Sequence, residues 1–145
     1  MAQNAFSVLL VDDSEDDRLF VRRALDRHSG FTVAAELCDG EAAIAYLAGQ
    51  GKFSDREKFP FPDVVFLDLK MPLKTGHEVL AWLQTQRFEE LRVVILSGSF
   101  LAQDITRSME LGADAYFKKE AMEEEQKAMI REIEKLLAKP VSTPS

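Results

Sequence analysis

Cysteine is almost absent from the chain: Cys38 stands alone, so no disulfide can close within it. With its apolar neighbours, that residue reads as a small core side chain in a reducing compartment. Long apolar runs are missing too. None approaches the roughly 18 residues of a membrane span, Met1 to Asn4 has no basic character, and Phe6 to Val11 is too short for the core of a signal peptide. The expectation is a cytoplasmic protein without membrane insertion. Positive charge is in deficit, with 18 Lys and Arg against 25 Asp and Glu and a net charge of -7. That balance opposes the counterion release that nucleic acids and anionic membranes reward, so direct nucleic-acid binding is not expected.

Apolar residues are not scarce, and at 46% of 145 residues they suffice for one ordinary core. Three short runs, Val8-Leu9-Leu10-Val11, Val64-Val65-Phe66-Leu67 and Val93-Val94-Ile95-Leu96, are apolar on both faces. Such runs mark strands buried on both sides in a parallel sheet. Phe31 to Leu37 and Asp114 to Lys118 are weaker runs that supply strands two and five. Helical periodicity lies between them, as in Phe20, Ala24 and His28, or Val79, Leu80 and Leu83. A last helix is expected over Ala121 to Ala138, with Met122, Met129, Ile130, Ile133, Leu136 and Leu137 as its stripe. Glu123, Glu124 and Glu125 would occupy its first turn, and Lys135 and Lys139 its end, in keeping with the helix dipole. Five β-α units give an α/β domain with a doubly wound, five-stranded parallel sheet and helices on both faces. Lys52 to Pro62 fits neither period and reads as a long loop. The domain is expected over residues 1–139, with 140–145 as a disordered tail.

Ligands in such sheets bind beyond the carboxyl ends of the strands. Strand one ends in Asp12-Asp13, strand three in Asp68, strand four in Ser97-Gly98 and strand five in Lys118-Lys119. Two carboxylates about 4 Å apart repel by roughly 4 kcal/mol at an effective dielectric near 20, a conflict that a divalent cation removes. Only oxygen ligands are on offer, which suits magnesium; zinc would want His or Cys, and His28 and His77 stand elsewhere. A metal beside a carboxylate, a hydroxyl and a lysine indicates phosphoryl transfer, with Asp68 as the attacking carboxylate.

These residues resemble the receiver domain of two-component response regulators from Phe6 to about Leu137. The matching segments are Val11-Asp12-Asp13, Asp68-Leu69-Lys70-Met71-Pro72 with Gly76, Ser97-Gly98, and Gly112-Ala113-Asp114-Ala115-Tyr116-Phe117-Lys118-Lys119. The resemblance implies a flavodoxin-like receiver fold and a phosphoacceptor at Asp68 that catalyses its own phosphorylation and dephosphorylation without being an enzyme in the ordinary sense. It implies that Asp13, Asp68 and the backbone carbonyl of Lys70 hold Mg2+ directly and that Asp12 helps through water. It gives Ser97 and Lys119 to the phosphoryl oxygens, Tyr116 to the switch, and room for the phosphoryl donor beside Gly98. The family's Gly-Ala-Asp-x-Tyr-x-x-Lys spacing selects Lys119 over Lys118. A histidine kinase or phosphotransfer protein is the implied donor and an unidentified protein the target, with a homodimer as a further option. Since the chain ends soon after the last helix, no output domain is expected.

Glu120 stands where the family usually has proline, which puts in question the cis peptide expected after Lys119. Lys70 and Ser99 occupy positions that tune phosphoryl lifetime in the family. The Lys52 to Pro62 segment resembles that of single-domain regulators paired with bacterial phytochrome histidine kinases, and reads equally as a surface loop. Taken singly, Asp12-Asp13-Ser14 is a helix cap, Asp68 a strand end, Ser97-Gly98 a turn and Lys119 a solvated charge. Two rivals stand beside the main reading. One is a phosphorylation-independent binding module of the same fold. The other is a magnesium-dependent phosphatase with an aspartate nucleophile, although such enzymes carry Asp-x-Asp after strand one.

Overall fold

The computed structural model describes residues 5–28, 30–99 and 101–138, without the side chains of 121–123. The expected apolar runs form strands β1 (Phe6–Val11), β2 (Phe31–Leu37), β3 (Val64–Leu67), β4 (Arg92–Ser97) and β5 (Ala115–Lys118). All pairings are parallel, in the order β2-β1-β3-β4-β5. The helices are α1 (Glu15–Asp26), α2 (Gly40–Ala48), α3 (Gly76–Gln84), α4 (Ala102–Glu110), α5 (Lys119–Glu124) and α6 (Gln126–Ala138). No helix among the described residues is long and apolar enough to cross a membrane.

The three inner strands are apolar throughout because successive side chains serve different cores. Leu9, Val11, Val65, Leu67, Val93 and Ile95 pack with Tyr46 and Leu47 of α2 and Val79 and Leu80 of α3. Their neighbours Val8, Leu10, Val64, Phe66, Val94 and Leu96 pack on the other side with Val21, Ala24 and Leu25 of α1 and Met129, Ile130 and Ile133 of α6. Helix starts follow from capping chemistry: Ser14, Asp39 and Thr75 cap α1, α2 and α3, and Glu78 completes a capping box with Thr75.

Three expectations are corrected. Cys38 is exposed rather than a core residue, because it lies just past the edge strand β2 in the turn before the Asp39 cap. Helix α1 ends at Asp26, which leaves His28 outside it; its buried face is Val21, Ala24 and Leu25, and Phe20 is 36% exposed. The single last helix is two, with a break at Glu125. Met129, Ile130 and Ile133 set the phase of α6, whose first turn has no acidic residue, whereas α5 begins directly at the end of β5. The side chain of Met122, Lys139 and the tail at 140–145 lie outside the described residues. Lys52 to Pro62 is a loop, as expected, and it opens in a 3-10 turn, Gly51–Ser54. Phe53 is buried with its ring 5.1 Å from Tyr46 and 5.2 Å from Phe59, and Arg56 lies over Tyr46 and Phe61 while donating to the carbonyls of Leu47 and Phe59.

One connection sets the position of the end of β3. Leu73 and Lys74 have φ of 53° and 109°, and the turn they make is pressed between two glycines. A Cβ on Gly40 would lie 2.1 Å from the Lys74 carbonyl oxygen, and one on Gly76 2.4 Å from that of Asp68. Only glycine lets these backbones approach so closely. Gly76→Ala is therefore expected to lower stability to urea by about 1–3 kcal/mol, the range for forced overpacking; a change within about 0.5 kcal/mol, typical of an unconstrained surface site, would refute the close approach.

Candidate functional site

Parallel pairing brings the strand ends to one edge of the sheet. The Asp12 amide donates to the Leu37 carbonyl and the Asp68 amide to the Val11 carbonyl, both at 3.0 Å, so the acids of β1 and β3 are fixed side by side. Asp12 and Asp68 are buried, Asp13 is exposed, and the three offer carboxylate oxygens within 4.8 Å of one another. The capping interpretation of Asp12-Asp13-Ser14 holds in addition to this one. Asp12 Oδ1 accepts from the Ser14 amide at 2.9 Å, and Ser14 Oγ accepts from the Asp17 amide at 3.2 Å.

Lys119, at the start of α5, reaches into this cluster. Its Nζ lies 2.8 Å from Asp12 Oδ2, 3.2 Å from Asp68 Oδ2 and 2.6 Å from Asp17 Oδ2. Burial alone would lower the Lys119 pKa, but its hydrogen bonds to Asp12 and Asp17 and the Asp68 and Asp12 charges outweigh that and hold it above the ordinary lysine value. Asp68 is affected in the opposite sense. Burial pushes its carboxyl above the usual carboxylate range; Lys119 offsets part of this and Asp12 adds to it. Asp17 was not foreseen as part of the site. It is the third residue of α1, in the first turn after the Ser14 cap, at the helix end nearest Asp12 and Asp13.

Ser97 is 1% exposed, at the end of β4, and its Oγ accepts from the Ser99 amide at 3.2 Å. Ser99 is held three times more: its hydroxyl donates to Asp104 Oδ2 at 2.5 Å and accepts from the Leu101 amide at 3.2 Å, and its carbonyl accepts from the Tyr116 hydroxyl at 3.2 Å. A side chain at Gly98 would meet open space. Lys70 is exposed, and Lys118 is partly buried in β5. Of the two lysines it is thus Lys119 that meets the acids. Glu120 continues the helix that Lys119 begins, and no cis peptide bond occurs among the described residues.

The donor set is entirely carboxylate, and Asp68 carries a buried charge that one lysine does not fully balance; both features fit a hard divalent cation. The histidines do not join the cluster, and His77 Nε2 instead lies 3.0 Å from Ser108 Oγ on α4.

Asp68, buried at the end of β3, thus stands beside two acids and a lysine, and Ser97 is buried at the end of the neighbouring strand β4. Residues 8–142 match the response regulator receiver domain, and the chain belongs to that family of two-component signalling proteins. It is 33% identical over 139 residues to the response regulator Rcp1 of Synechocystis, an alignment that takes in 95% of this chain and 92% of Rcp1. The phosphorylated cyanobacterial phytochrome response regulator RcpA superposes with a TM-score of 0.79 at 29% identity, covering 97% of this chain and 99% of RcpA. The Mn2+-bound form of Rcp1 gives a TM-score of 0.76 at 32% identity, covering 97% and 99%.

Because the folded state holds the Asp68 proton more tightly than the unfolded chain does, this carboxyl contributes stability below the ordinary aspartate pKa of about 4 and loses it as pH rises through the elevated folded value. In chelator, Asp68→Asn is thus expected to melt above the wild type near neutral pH, with the gap closing as pH falls. A gap that is absent, or that widens on acidification, would show that the Asp68 charge is not disfavoured.

Proposed function

We propose that this chain is a single-domain receiver, spanning residues 1–139, that works in the cytoplasm and accepts a phosphoryl group on Asp68 from the phosphohistidine of a histidine kinase or phosphotransfer protein. The observation that carries this reading is the convergence of Asp12, Asp13 and Asp68 within 4.8 Å, with Lys119 bonded to two of them. Asp13, Asp68 and the Lys70 carbonyl would hold Mg2+, with Asp12 alongside. When bound, that ion neutralises the carboxylates and the equatorial phosphoryl oxygens.

A carboxylate oxygen of Asp68 attacks the phosphorus, a new P–O bond forms, and the bond to the donor's imidazole nitrogen breaks with its electron pair staying on the nitrogen. Lys119 and the Ser97 hydroxyl take the phosphoryl oxygens. Charge-assisted hydrogen bonds contribute about 1.5–3 kcal/mol each, and moving a two-state equilibrium from 1:99 to 99:1 takes about 5.5 kcal/mol. Two such contacts come close to throwing the switch. Movement of Ser97 would carry Ser99 with it, release the Tyr116 hydroxyl and alter the surface of α4, β5 and the helices after β5. A downstream protein or a second copy of the chain would read that surface. The similarity to RcpA supports a phytochrome-linked kinase as donor.

Incubation with Mg2+ and acetyl phosphate is expected to add one phosphoryl mass, and the adduct should disappear in Asp68→Asn or without Mg2+. An unmodified wild type would favour a phosphorylation-independent module, and steady turnover of unrelated phosphate esters a phosphatase. A second expectation concerns coupling. Ser97→Ala should still be modified, yet the phosphorylation-induced amide shifts of Ser99, α4 and Tyr116 should largely vanish; full-sized shifts in that variant would remove Ser97 from the switch.

A further inference from the structure

Asp17 makes the shortest of the three contacts to Lys119, although it lies outside the group of carboxylates suited to a cation. Its sequence position offers it another task. As the third residue of α1 after the Ser14 cap, it occupies the place from which a Glu or Gln reaches back to the cap's own amide in a capping box. Here that amide is already bonded to Asp12 Oδ1. The Asp17 carboxylate is therefore released from capping and instead crosses to Lys119, 102 residues away in the chain. The two also border a surface groove of ≈ 370 Å³ with Phe20, Val21 and Leu96.

The division of labour among the three acids follows from their surroundings. Asp12 and Asp68 are the partners that Lys119 shares with a cation, and their hold on the ammonium weakens once that charge is neutralised. Asp17 is not shared. An ammonium has three donors, so one can stay on Asp17 while the others turn to incoming oxygens. We infer that Asp17 is a positioning residue that keeps Lys119 at the mouth of the site when a cation takes over Asp12 and Asp68, presenting it to the phosphoryl group. This rests on the phosphoacceptor reading above and adds to it a residue outside the motif.

The test uses the full chain at saturating Mg2+, with two readouts. The first is the rate of Asp68 modification by acetyl phosphate, followed by intact mass. The second is acylation of Lys119 by acetic anhydride with no phosphoryl donor present, followed by peptide mass. Asp17→Ala is expected to slow the first by about threefold to fivefold and speed the second by a similar factor, the range open to a partly exposed ion pair. Asp16→Ala, which removes the same charge from the same turn, should change neither. In a Lys119→Ala background, Asp17→Ala should have no further effect on the modification rate. An equal slowing with and without Lys119, or unchanged rate and labelling in Asp17→Ala, overturns the role of Asp17. A wild type that takes no Asp68-dependent adduct overturns the phosphoacceptor reading instead, while the labelling readout still reports the Asp17–Lys119 contact.

Discussion

The structure turns on the unequal meeting of several carboxylates with a single ammonium at the sheet edge. Asp12, Asp17 and Asp68 crowd around Lys119, and Asp13 joins Asp12 and Asp68 in the carboxylate cluster, so negative charge stays in excess. Topology enforces that crowding. Parallel strands end on the same side, and the order β2-β1-β3 makes the ends of β1 and β3 immediate neighbours. No rotamer change takes Asp12 far from Asp68, because both backbones are tied into the sheet. At an effective dielectric near 20, each like-charged pair at about 4 Å costs roughly 4 kcal/mol. A site kept electrically incomplete by its own backbone is one that gains from added positive charge.

The backbone around it is built to match. Leu73 and Lys74 lie at positive φ without being glycine, and the turn they form is closed in by Gly40 and by Gly76, which faces the Asp68 carbonyl. Strained conformations persist only where their surroundings over-determine them, and they concentrate beside functional sites. In this chain the strain lies between the end of β3 and two helix N-termini, with Gly76 of α3 held against Asp68 and Gly40 of α2 against Lys74. The tether between His77 and Ser108 then carries the placement of α3 on to α4.

Much of this was legible in the sequence, and for definite reasons. Continuous β-branched runs identified the three inner strands because burial on both faces removes every polar position. The acids, serine and lysine after those runs were legible because a parallel sheet collects its strand ends. Other features were hidden. Cys38 directly follows the run Phe31 to Leu37, yet its exposure depends on that strand being at the edge, which local composition does not encode. The break at Glu125 follows acidic residues that suit a helix start, so the end of α5 among them was hidden. Phe53, Phe59 and Arg56 looked like loop residues because their partner, Tyr46, belongs to α2. Asp17 was masked by its own plausibility as a first-turn acid.

Ser99 is tied by its hydroxyl to Asp104 at the start of α4 and by its carbonyl to Tyr116 on β5. Its hydroxyl also accepts from the Leu101 amide, and its own amide donates to Ser97 Oγ. Four bonds thus meet on one residue between β4 and α4, and Ser99 is the point at which the end of β4, the start of α4 and the flank of β5 are held in common.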